Sequence, residues 1–305
     1  MKIKRTLLTI TSLLLTYLLA ACGPQPERVT FTAPAIASST SWQQEIEKGQ
    51  KVFFKTFLTG TVTVPTSGML DKNNPKTATK TEDSMVVEVY SHWIRHPTKG
   101  DFLIDTGLNG HYGENPQGDM GGLIASFIVE NSTQTEGTDI ASYVKANKLD
   151  VSGIFLTHTH PDHSSGIPEI ANDALVYVGK NEPIDYYPLI LTTPYFDQVE
   201  TLVELDFDRA QALTPFEKVI DVFGDGSLWA IATPGHSAGH TSYIVNSLEG
   251  PVLLTGDASH TRWGFENNVI PGWADDETLA QDSLERLRLW AEQNEEARVI
   301  FGHER

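Results

Sequence analysis

His158-Thr159-His160-Pro161-Asp162-His163 places three imidazoles and a carboxylate in six consecutive positions. Imidazole nitrogen and carboxylate oxygen are the donors that zinc and similar divalent ions favour. A single tetrahedral ion does not easily take four ligands from one short loop, so the loop suits two neighbouring ions with further ligands supplied from elsewhere. Three segments offer them: Thr233-Pro234-Gly235-His236, Thr255-Gly256-Asp257 and Phe301-Gly302-His303, each a polar residue just beyond an apolar run. A histidine-rich surface patch would account for the six-residue motif alone. Three distant partners of matching chemistry argue against that reading. Two ions roughly 3.5 to 4 Å apart lower the pKa of a shared water toward neutrality and withdraw charge from a carbonyl or phosphoryl group. That is the chemistry of hydrolysis.

The elements that must position these residues are legible in outline. Lys51 to Val64 is β-branched and aromatic and reads as a strand, followed by a polar Gly, Asn and Pro loop to Asp83. Met85 to His96 and Asp101 to Asp105 read as a hairpin turning at Pro97-Thr98-Lys99-Gly100. Asp139 to Leu149 has helical spacing and delivers the chain into a buried strand, Val151 to Leu156, whose end carries the histidines. Strands are expected near Val219 to Phe223, Leu228 to Thr233, Thr241 to Asn246 and Val252 to Thr255. A helix from about Asp276 to Glu292 follows, with Leu284, Leu287 and Ala291 on one face and acidic residues at its start. A last strand, Arg298 to Phe301, leads to His303. His92, His96 and His111 belong to no motif and are expected at the surface or in loops.

Lys2, Lys4 and Arg5 followed by an apolar run from Leu7 to Leu19 form a secretory signal, too short to span a membrane. It ends in Leu19-Ala20-Ala21-Cys22-Gly23, which resembles the bacterial lipobox. That implies export, removal of the preceding peptide and lipid modification of Cys22, leaving a membrane lipoprotein that faces the periplasm or the cell exterior. Cys22 is the only cysteine, so the folded part has no disulfide and must draw stability from core and metal. The formal charge of −18 becomes −21 when residues 1 to 22 take their three basic groups with them, which makes nucleic acid an unsuitable partner. The expected division is 1–22 signal peptide, 23–41 flexible linker without fixed structure, and 42–305 hydrolase domain.

From about Val52 to Arg305 the sequence resembles the metallo-β-lactamase superfamily, whose signature is His-x-His-x-Asp-His followed by His, Asp and His. The resemblance implies an α+β fold, an αββα sandwich of two β-sheets packed face to face with helices outside. It implies one divalent ion on His158, His160 and His236 and a second on Asp162, His163 and His303, with Asp257 bridging. The ions would be zinc, with manganese, iron or cobalt as alternatives. Asp105 in Asp-Thr-Gly and His240 in Gly-His-Ser-Ala-Gly-His match positions that support the ligands from behind.

Within the superfamily the likeness is strongest to N-acyl homoserine lactone lactonases. It extends through Ala258-Ser259, Val269-Ile270-Pro271-Gly272, Ser283-Leu284-Glu285-Arg286-Leu287 and Ile300-Phe301-Gly302-His303-Glu304. Those enzymes often carry a tyrosine three positions after the bridging aspartate; this chain has His260, whose ring nitrogen could donate the same hydrogen bond, the alternative being a residue that faces solvent. The implied reaction is lactone opening on a small-molecule ester, with Asp162 orienting water and passing its proton to the departing oxygen. Tyr186, Tyr187, Leu189, Ile190, Leu191, Tyr195 and Phe196 suit either an acyl-chain pocket or, better, ordinary core. The rival readings are hydrolysis of β-lactams, phosphodiesters, sulfate esters or thioesters and, outside catalysis, a metal-binding lipoprotein.

Overall fold

Side chains alternate across a strand, so a strand buried on both faces feeds two different cores. The computed structural model describes residues 26–34, 41–121, 131–170, 174–184 and 194–305. In chain order its strands are β1 (Glu27–Thr30), β2 (Phe53–Pro65), β3 (Ser84–His96), β4 (Gly100–Ile104), β5 (Asn131–Thr133), β6 (Val151–Phe155) and β7 (Leu175–Gly179). They continue with β8 (Thr201–Leu205), β9 (Gln211–Leu213), β10 (Phe216–Asp221), β11 (Leu228–Ala232), β12 (Thr241–Ser247), β13 (Gly250–Leu254) and β14 (Arg298–Ile300). They form an eight-stranded sheet in the order β1-β8-β7-β6-β4-β3-β2-β5 and a six-stranded sheet in the order β14-β13-β12-β11-β10-β9.

The alternation sorts the apolar residues into layers. Phe102, Ile104 and Phe155 of the first sheet meet Leu228, Ala230, Tyr243 and Val245 of the second in a core between the sheets. Leu103 and Ile154 point the other way, into a cluster that holds Ile140 of the helix Ile140–Asn147. Trp229, Ile231 and Ile244 likewise face outward onto Ala280, Leu284, Leu287 and Trp290 of the helix Glu277–Gln293. This is the αββα sandwich that the resemblance implied. Asp276 caps the last helix by accepting from the backbone N–H of Thr278 and Leu279.

The sequence boundaries hold for the central strands but not everywhere. Part of the expected linker is ordered: Glu27–Thr30 pairs in parallel with Thr201–Glu204, and Arg28 binds Glu204 at 2.7 Å. The segment is short and mostly exposed, so it carries no apolar alternation, and backbone pairing to an open sheet edge makes the strand. The polar stretch after β2 contains a helical turn, Thr66–Met69, and a 3-10 turn, Pro75–Thr79. His92 and His96, expected outside the core, are buried on β3; His92 stacks on Phe54, and burial pushes its pKa down to about 3. His111 is exposed as expected and pairs with Asp119 at 2.7 Å. The signal sequence, Cys22, and Tyr186 to Leu191 lie outside the described residues, while Tyr195 and Phe196 are buried in core.

Candidate metal centre

Five strand ends build the site. β4 runs parallel to β6, and β13 runs parallel to β14. β11 and β13 both lie antiparallel to β12 and therefore share a direction. Asp105 follows β4, His158 follows β6, His236 follows β11, Asp257 follows β13 and His303 follows β14. A helical turn, Pro161–Ser164, then folds the histidine loop back so that Asp162 and His163 return to the ligands before them. Ser164 Oγ fixes this turn by donating to the carbonyls of Thr159 and His160.

All seven residues expected to hold metal converge. His158 Nε2 and His236 Nε2 lie 2.8 and 3.0 Å from His160 Nδ1, and 3.6 and 3.5 Å from Asp257 Oδ2. On the other side, His163 Nε2 is 3.4 Å from Asp257 Oδ1 and His303 Nε2 is 3.5 Å from Asp257 Oδ2. Asp162 Oδ2 stands 3.4 Å from His303 Nε2 and 3.8 Å from His163 Nε2. Asp257 therefore touches both groups. A tetrahedral ion with bonds of 2.0 to 2.1 Å has ligand-to-ligand edges of about 3.3 Å. Most of these separations match that edge to within half an ångström, so the donor set fits a pair of cations.

Hydrogen bonds behind the rings choose which nitrogen faces inward. His303 Nδ1 donates to the carbonyl of Glu88 at 2.8 Å, and His163 Nδ1 donates to Asp105 Oδ2 at 2.8 Å. Thr157 Oγ1 gives its proton to Asp105, so it accepts from His158 Nδ1 at 3.1 Å. Each of these three rings then turns Nε2 to the centre, the nitrogen through which it could ligate a metal. Asp105 holds this arrangement from a left-handed backbone at φ +53°, a costly conformation for a residue with a side chain. It also accepts from the Thr157 backbone N–H at 2.7 Å.

Electrostatics divides the cluster. Burial pushes the imidazoles of His158 and His236 well below their ordinary pKa and lowers that of His160, so these rings stay neutral near pH 7. Burial also opposes charge on His163, but Asp257, Asp105 and Asp162 together hold it well above the usual value. His303 is raised against its burial by Asp257 and Asp162. Burial would raise Asp257, yet His260, His163, His303 and His158 around it hold the carboxyl well below the usual range. His163 Nε2 and Asp257 Oδ1 are buried without a hydrogen-bond partner among the described residues, which suits them to ligate a cation.

The comparisons agree with this geometry. Residues 85–303 match the family described as Metallo-beta-lactamase superfamily, a span that contains every donor named above. The chain belongs to the metallo-β-lactamase superfamily. Among its curated relatives, the N-acyl homoserine lactonase AttM of Azorhizobium caulinodans is 29% identical over 220 residues, covering 69% of this chain and 80% of that protein. AttM of Agrobacterium fabrum is 30% identical over 217 residues, with the same coverage. A solved N-acyl homoserine lactone hydrolase, with the product N-hexanoyl-L-homoserine at its catalytic metal centre, superposes with a TM-score of 0.61 at 22% identity. That match covers 84% of this chain and 94% of the other.

Within this metallo-β-lactamase fold, four further features shape the site. His240 lies behind Asp257: its Nε2 accepts from the Asp257 backbone N–H at 2.9 Å and its Nδ1 donates to the Thr233 carbonyl at 3.1 Å. Burial pushes its pKa down to about 3, so the ring stays neutral and keeps the lone pair this contact needs. Gly302 has no room for a side chain, because a Cβ there would stand 2.1 Å from Asp257 Oδ1. Glu182, which carries no sequence motif, is buried between the two histidine loops. It accepts from Thr159 N and Oγ1 on one side and from Ser237 Oγ and Gly239 N on the other. Only its position after β7 reveals it, and that strand was itself absent from the sequence reading. His260 is buried in the cluster, its Nε2 3.0 Å from Asp257 Oδ2.

Proposed function

We propose that this hydrolase opens N-acyl homoserine lactones at a centre of two divalent cations, zinc in the first instance. His158, His160 and His236 would hold one cation and Asp162, His163 and His303 the other, with Asp257 within reach of both. The observation that carries the reading is the gathering of the six other donors around Asp257 in a chain whose curated relatives include lactonases. Bound divalent cations supply polarisation of the ester carbonyl and make water nucleophilic near neutral pH. The chain's own residues set the geometry around that chemistry.

Asp162 is the carboxylate with access to solvent, its side chain 25% exposed against 4% for Asp257. It can hold a water's proton at a carboxylate oxygen and return it to the ring oxygen as the ester C–O bond breaks, giving the acyl homoserine. His160 and Asp162 are half-buried while His158, His163, His236 and His303 are buried, so substrate enters past the first pair. In a pH-drop assay of the zinc-loaded protein, hexanoyl and decanoyl homoserine lactones should be opened at least about tenfold faster than a β-lactam, a phosphodiester or a sulfate ester. One tenfold step is only about 1.4 kcal/mol in barrier, well within what substrate fit supplies. Faster turnover of another ester class would reassign the substrate.

The address is part of the proposal and rests on the sequence alone. Leu19-Ala20-Ala21-Cys22 supports cleavage before Cys22 and attachment of acyl chains such as palmitate, which would tether the enzyme to a bacterial membrane on its outward side. A Cys22→Ser variant expressed in a bacterium should lose palmitate labelling and leave the processed membrane fraction. Membrane retention and labelling equal to the parent would remove the anchor from the account.

A further inference from the structure

We infer that His260 is an eighth donor to the metal centre, ligating through Nε2 the cation that His303 and Asp257 hold. The inference rests on the two-cation reading and concerns a residue that the seven-donor signature does not contain. His260 follows the 3-10 turn Gly256–Ala258 and is 2% exposed. Its Nδ1 lies 3.3 Å from the carbonyl of Met69. A carbonyl only accepts, so Nδ1 carries a proton, and Nε2 is the ring nitrogen left to ligate a cation.

Nε2 points into the cluster. Nε2 stands 3.0 Å from Asp257 Oδ2 without hydrogen-bond alignment, and it has no other hydrogen-bond partner among the described residues. With Nε2 unprotonated, two buried lone-pair atoms at this distance repel unless a cation lies between them. Ligands about 2.1 Å from one ion and 3.0 Å from each other subtend about 90° at the ion, an angle found in expanded coordination shells. The donors of Asp257, His260 and His303 all lie within 4.8 Å of one another. The ring sits 5.3 Å, centroid to centroid, from both His236 and His303. Its backbone is locked to the last ligand: His303 N donates to the His260 carbonyl at 2.9 Å and Gly302 N to the Ser259 carbonyl at 3.0 Å.

Cobalt(II) titration of the full chain with chelator competition tests the assignment without relying on turnover. The parent should bind two equivalents. In His260→Ala and His260→Gln the more weakly held equivalent should dissociate at least about tenfold more readily, and its visible bands should intensify as the shell loses a ligand. Added imidazole should reverse the spectral change in the alanine variant. The glutamine variant keeps a donor for the Met69 carbonyl, so it reports on coordination if the alanine variant folds poorly. Parent-like affinity and spectrum in both variants, with two equivalents still bound, would overturn the inference and leave the two-cation centre standing. A parent that binds no cobalt would overturn both.

Discussion

Asp257→Ala should abolish hydrolysis, lowering kcat/KM by at least about three orders of magnitude, which corresponds to about 4 kcal/mol in the barrier. The carboxylate lies within 3.6 Å of donors on both sides of the centre: His158 and His236 on one, His163 and His303 on the other. Removing it leaves the two donor groups without a common ligand, so the second cation should be lost first. Asp257→Asn keeps the shape and one neutral oxygen, and should retain more metal than the alanine variant while remaining far below the parent. The fold should survive either change, because the contact from Asp257 to His240 is made by the backbone N–H rather than the carboxylate. Metal content, kcat/KM and a thermal melt, measured together, separate these effects. Parent-like turnover in the alanine variant would defeat the site assignment.

The sequence revealed most where one residue type has one strong use. Seven histidines and aspartates at strand ends are legible because imidazole and carboxylate beyond an apolar run have few structural roles. β6, β11 and β13 are legible because strands buried on both faces are continuous apolar runs. Elsewhere the determinants are tertiary. β1 exists because Arg28 finds Glu204 and the backbone finds a free sheet edge, neither of which is encoded nearby. His92 and His96 look like unassigned polar residues until β3 is enclosed by its neighbours, where Thr56 and Asp225 receive their rings. The resemblance identified His260 as a departure from the lactonase pattern. The Met69 carbonyl, 191 positions earlier, is what orients its ring. Glu182 had no signal at all, being a lone carboxylate after a strand that was not recognised.

Glu182→Ala should destabilise the fold and loosen the metal centre together. The carboxylate is the clasp between the loop carrying His158 and His160 and the loop carrying His236 and His240. Its loss strands the N–H groups of Thr159 and Gly239 and the hydroxyl of Ser237 in a buried site, at about 1 to 3 kcal/mol for each group left unpaired. A fall of several kcal/mol in stability is expected, with metal affinity down about 10- to 100-fold, the scale seen when ligand-orienting partners are removed. Glu182→Gln recovers only part, because its amide nitrogen must face one of the donors that an oxygen now accepts. The pH dependence separates charge from shape. Burial raises the pKa of Glu182 from 4.5 to about 7, against the pull of its hydrogen bonds. A raised folded-state pKa gives a contribution that is complete below pH 4.5 and is lost as pH rises through 7. From this group alone, the parent should therefore lose stability between pH 4.5 and 7 and level off above. The glutamine variant cannot ionise and lacks that slope. Its deficit relative to the parent should be larger in melts at pH 5 than at pH 8, with chelated and metal-loaded protein compared at each. An equal deficit at both pH values would show that Glu182 holds the same proton folded and unfolded. The clasp would then act through shape alone.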